Sequence, residues 1–106
     1  MLRVYLEMDG FNVAVAFGAE DGVREALADP PHVILCDIGM PGTDGIKLAG
    51  ILRGFSSLNG SRLIAISGYA EKEIQENARN AGFQRYIIKP CDPATIGREI
   101  QASLAR

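Results

Sequence analysis

The residues best suited to chemistry stand at the ends of apolar runs. "VILCD" (Val33–Asp37) ends in a carboxylate, "RLIAIS" (Arg62–Ser67) in a hydroxyl, and "RYIIK" (Arg85–Lys89) in an ammonium group. A carboxylate can act as a nucleophile and form an acyl phosphate. A lysine is a point cation suited to phosphate, and a serine hydroxyl supplies a hydrogen bond to a phosphoryl oxygen. At about 4 Å and an effective dielectric near 20, a unit charge pair gains roughly 4 kcal/mol before desolvation. After Asp37 the chain enters "IGMPGTDG", where Gly39 and Gly42 permit sharp turns and close backbone approach. Phosphoryl transfer relies on neutralising oxygen charge, so a divalent metal is wanted beside such a carboxylate.

Each residue also has a plainer reading. Asp37 could be a turn former, Ser67 before Gly68 a helix N-cap, and Lys89 a solvated strand end. Their arrival together at the ends of three separate runs, with D-x-x-M-P-x-x-D-G after the first, favours the functional reading.

The elements that would position these groups alternate in type. "NVAVA" (Asn12–Ala16) reads as a short strand, and "VREALA" follows with Val23, Ala26 and Leu27 on one helical face. After Val33–Asp37 and its glycine-rich loop, Leu48, Ile51, Leu52 and Phe55 fall at i, i+3, i+4 and i+7. Arg62–Ser67 is the next strand, and Ile74, Ala78 and Ala81 mark a helix stopped by Gly82. Arg85–Lys89 is the last strand. Asp92-Pro93 then pairs an N-cap with a first-turn proline, and Ile96, Ile100 and Leu104 line the final helix. The opening "LRVYLEMDG" fits either a hairpin turning at Asp9-Gly10 or a helix with Leu2, Tyr5 and Leu6 on one face. The helix is favoured, because a hairpin would need antiparallel pairing in a parallel sheet. Strand-helix repetition with non-alternating apolar strands predicts an α/β fold, a parallel sheet with helices on both faces. Ligands bind such sheets outside the carboxyl ends of the strands, where Asp37, Ser67 and Lys89 fall.

The totals narrow the function classes. With 106 residues, 47% apolar and 23% charged, the chain suits one ordinary domain. A net charge of −2 without a basic stripe argues against direct nucleic-acid binding. The apolar runs are too short to span a bilayer, and a cytoplasmic location is expected. Cys36, Cys91 and the lone His32 lack zinc-site spacing and read as free thiols and a surface imidazole. A hydrolase or nucleotide-binding enzyme is disfavoured, since no G-x-S-x-G, G-x-G-x-x-G or glycine-rich phosphate loop is present.

The pieces "LEMDGFNVAVA", "PHVILCDIGMPGTDG", "LIAISGY", "NAGFQRYIIKP" and the Asp92-Pro93 helix start resemble, at the right spacing, the receiver domain of bacterial two-component response regulators, including those of hybrid histidine kinases. The resemblance runs from Leu2 to the C-terminus. It implies a flavodoxin-like sheet with strand order 2-1-3-4-5 and a signalling switch rather than a turnover enzyme. Asp37 matches the phosphoacceptor, Ser67 the hydroxyl that senses the phosphoryl group, and Lys89 the lysine that contacts it. Tyr86 matches the aromatic that swings inward as Ser67 engages phosphate. The Gly39 carbonyl and Asp37 match ligands of a magnesium ion. Pro41 and Gly45 match structural positions near the site, and Lys89-Pro90 a bond that is usually cis. Gly39 and Tyr69 match positions that tune hydrolysis, and neither carries a carboxylate or amide to orient water. The implied partners are a sensor histidine kinase or phosphotransfer protein, and an effector at the surface of the fourth helix, the strand at Arg85–Lys89 and the fifth helix.

One departure stands out. The family begins with an apolar strand ending in two acids that hold the magnesium ion, and "LRVYLEMDG" aligns with the helix after it. Calling "LRVYLEMD" that strand leaves only Gly10 and Phe11 before "NVAVA", too few for a crossover helix. The expectation is an N-terminally truncated single receiver domain over residues 1–106, with a degenerate, phosphorylation-independent interaction module as the alternative.

Overall fold

The computed structural model describes residues 2–38 and 45–105. Its elements run α1 (Leu2–Met8), α2 (Ala19–Ala28), β1 (Val33–Asp37), α3 (Gly45–Arg53), a 3-10 turn (Ser56–Leu58), β2 (Arg62–Ser67), α4 (Lys72–Ala81), β3 (Arg85–Ile88) and α5 (Pro93–Leu104).

Among the described residues the strands form one parallel sheet, in the order β1-β2-β3. Alternation along each strand sends side chains to two cores. Cys36, Leu63 and Ala65 pack with Ala26, Ala49, Leu52, Ala78 and Phe83, beneath α2, α3 and α4. Ile64, Ile66 and Ile87 pack with Leu6, Ile96 and Ile100, beneath α1 and α5. β2, buried along nearly its whole length, divides the two. Fully burying a Leu or Ile side chain contributes roughly 1.5–3 kcal/mol, so this strand anchors the domain.

The helix reading of the first residues holds, and Leu6 is its buried contact. Local chemistry sets several other ends. Gly82 closes α4 at φ +121°, a left-handed conformation that favours glycine. Asp92 caps α5, its carboxylate accepting from the Thr95 N–H at 2.8 Å, and that bond holds its pKa low. Pro93 stands in the first turn, where its missing N–H costs nothing.

Four expectations are corrected. Asn12–Ala16 is not a strand and joins no ladder among the described residues. Strand propensity forms no strand without a neighbour to accept its hydrogen bonds, and here only Val13 reaches the core. In α2, Val23 and Ala26 face inward, but Leu27 is exposed. In α3 the buried stripe is Gly45, Ala49 and Leu52, while Ile51 and Phe55 are exposed. The helix stops at Arg53, and Leu58 of the following turn takes the interior place. In α5, Ile96 and Ile100 are buried as expected, but Leu104 is exposed and Ser103 is buried in its stead.

Candidate functional site

The carboxyl ends of the three strands converge through backbone pairing. Asp37 pairs with Ile66, and Ser67 with Ile88. Two bonds extend the ladders past the strand ends: Ile38 N–H donates to the Ile66 carbonyl at 2.9 Å, and Lys89 N–H to the Ser67 carbonyl at 2.7 Å. Asp37 and Lys89 therefore flank the end of β2, one from each side.

Their side chains meet there. Lys89 Nζ lies 2.6 Å from Asp37 Oδ2, and both side chains are about 40% exposed. A charged pair this open contributes little to stability, because water screens it. Its effect is local: an ammonium group is held on the Asp37 carboxylate. The Lys89-Pro90 bond that follows is cis. Asp37 Oδ1 is buried and has no hydrogen-bond partner among the described residues.

Ser67 is wholly buried, and it is tied elsewhere. Its Oγ accepts from the Tyr69 N–H at 3.0 Å. Tyr86, half-buried on β3, donates its hydroxyl to the Tyr69 carbonyl at 2.7 Å. The backbone of Tyr69 thus connects Ser67 to Tyr86. Sequence reading missed this link, since it singled out Tyr69 for its side chain and the contacts run through its backbone. Gly45 opens α3 directly against β1's end, and a Cβ there would overlap the Ile38 side chain. Gly39 and Pro41 lie outside the described residues, as do Gly42 and Asp44.

Mg2+ is bound through oxygen, and a dedicated site needs several such donors in near-octahedral array. Asp37 Oδ1 is a donor of the right kind. Among the described residues, however, no group of three or more His, Cys, Asp or Glu gathers anywhere. The described residues thus present no cluster of acids for a magnesium ion, and waters would have to fill most of its shell. Neither thiol adds a soft ligand set: Cys36 is buried, and desolvation pushes its thiol pKa up to about 11.

The fold is that of flavodoxin-like receiver domains. A receiver domain protein from Methanospirillum hungatei superposes with a TM-score of 0.87 at 28% identity, over 98% of this chain and 82% of that one. The receiver domain of a sensor histidine kinase from Pseudomonas aeruginosa, solved with a magnesium ion coordinated in its active-site cleft, gives a TM-score of 0.87 at 25% identity. That match covers 99% of this chain and 86% of its own. Residues 1–101 match the family model of the response regulator receiver domain, and the chain belongs to that family. Transcriptional regulatory protein KdpE of Mycobacterium tuberculosis is 32% identical over 99% of this chain, which spans 45% of that protein's length. ResD of Bacillus subtilis is 28% identical over the whole chain, which spans 43% of it. Among the described residues no helix is long and apolar enough to cross a membrane.

Proposed function

We propose that the chain is the phosphoacceptor switch of a two-component relay, acting in the cytoplasm, with Asp37 as the residue that accepts the phosphoryl group. The observation that carries this is the Asp37–Lys89 pair at 2.6 Å, open to solvent at the carboxyl end of the sheet. A carboxylate oxygen of Asp37 attacks phosphorus on a phosphohistidine of a sensor histidine kinase or phosphotransfer protein. An O–P bond forms, the N–P bond breaks, and the departing imidazole nitrogen keeps the electron pair and takes up a proton. Lys89 balances the charge of the incoming group. Ser67 leaves the Tyr69 N–H to donate to a phosphoryl oxygen, which releases one of the two tethers on Tyr69.

Tyr86 holds the other tether, so its setting responds to Ser67. Tyr86 also lines a shallow groove with Ile88, Pro90, Cys91, Thr95 and Glu99, a face on which an effector would read the change. On this reading the chain acts as a signalling switch rather than a turnover enzyme, as receiver domains generally do. Neither Gly39 nor Tyr69 carries a carboxylate or amide to orient a water, so the phosphoryl group is expected to outlast seconds. Its decay after removal of donor is the check, and loss within seconds would contradict it.

A second reading, a receiver-like interaction module that needs no phosphate, is favoured by the lack, among the described residues, of a cluster of three or more cation-ligating side chains. Incubation with a small radiolabelled phosphodonor separates the two. Label on the wild-type chain and none on Asp37→Asn supports the switch; label on neither supports the module.

A further inference from the structure

We infer that the resting chain binds magnesium only weakly at Asp37, because Lys89 already neutralises that carboxylate. Three features of the site oppose a cation. Asp37 Oδ2 is engaged by the Lys89 ammonium at 2.6 Å, which leaves one oxygen, Oδ1, for any second cation. The pair carries no net charge, so the site has no long-range attraction for a dication. Among the described residues Asp37 is in no cluster of three or more acids or other ligating side chains that would restore one.

Affinity of oxygen sites for hard divalent cations falls as charged ligands are lost. A dication at Oδ1 would also sit a few ångströms from an ammonium group. Their repulsion opposes binding by about tenfold even at the dielectric of water. Lys89 is thus a competitor for the metal in the resting chain, as well as a contact for phosphate.

The test is a magnesium titration of the 106-residue chain, followed by backbone amide NMR at Ile38, Ser67 and Lys89, without phosphodonor. It therefore reads metal binding whether or not Asp37 is ever phosphorylated. The wild-type shifts should still be unsaturated at about 10 mM magnesium. Lys89→Ala should bind about tenfold tighter, and adding Asp37→Asn should abolish that gain. Saturation of the wild type below about 1 mM, or no tightening in a folded Lys89→Ala chain, would overturn the inference. If that variant lost its amide dispersion, Lys89→Gln would take its place, with the same two outcomes.

Discussion

Asp37 and Lys89, which close a 2.6 Å ion pair, are carried by strands that do not touch. β2 lies between them, and Ser67 ends it. The pair is therefore a consequence of sheet order, formed only when both ladders on β2 are in register. It places an ammonium group on the carboxylate without requiring that the pair hold the fold together.

Lys89→Gln should separate these roles. The exposure of both partners limits the loss of stability to about 0–1 kcal/mol. Phosphoryl incorporation should fall at least about tenfold, since a neutral amide cannot balance the incoming charge. Urea denaturation and a labelling time course on the same preparation check the two halves.

Ser67 and Tyr86 should be coupled through the Tyr69 backbone. Ser67→Ala and Tyr86→Phe each remove one hydrogen bond to it, worth about 1 kcal/mol. If Tyr69 transmits between them, the double variant should deviate from additivity by at least about 0.5 kcal/mol. Additive losses in a denaturation double-mutant cycle would mean that the two tethers are independent.

Two glycines of α3 should respond oppositely to alanine. At Gly45 the new methyl would overlap Ile38 beside the site, and overpacking of this kind costs roughly 1–3 kcal/mol. At exposed Gly50 nothing lies within 4 Å of the added Cβ, so helix propensity should stabilise by about 0.5–1 kcal/mol. Thermal melts of the two variants test both signs.

Cys36 gives a pH dependence with a definite sign. Burial pushes its thiol from the usual value of 9.0 to about 11. Between those values the unfolded chain has given up a proton that the folded chain still holds. Stability therefore falls as pH rises through that window, by roughly 2–3 kcal/mol from this group. Cys36→Ala should flatten the slope of stability against pH there, whatever its cost at neutral pH. In the folded chain an alkylating reagent should modify the half-buried Cys91 before Cys36, which peptide mass spectrometry would show.

Much of this was legible in the sequence, and the exceptions share physical causes. α4 could be read because Ile74, Ala78 and Ala81 recur at helical spacing and Gly82 needs a left-handed turn. The start of α5 could be read because Asp92 and Pro93 are local signals. Periodicity misplaced the inner face of α3, since it ranks Ile51 and Phe55 by size, whereas the close approach to Ile38 demands Gly45 and the buried stripe continues through the small Ala49. It also made a strand of Asn12–Ala16, because propensity is local and pairing is not. At the site, Asp37, Ser67 and Lys89 were recognisable as strand-end residues. The attachment of Ser67 and Tyr86 to the Tyr69 backbone was invisible, because backbone donors and acceptors carry no sequence signature.

The central claim, that Asp37 is the phosphoacceptor, is tested most directly by trapping the acyl phosphate. After exposure to a phosphodonor, borohydride reduction converts a phosphorylated aspartate to homoserine, which peptide sequencing by mass spectrometry locates. Homoserine is expected at position 37 and nowhere else, with none in chain kept from donor. Homoserine at another aspartate, or none at all in a folded, donor-treated chain, would contradict it.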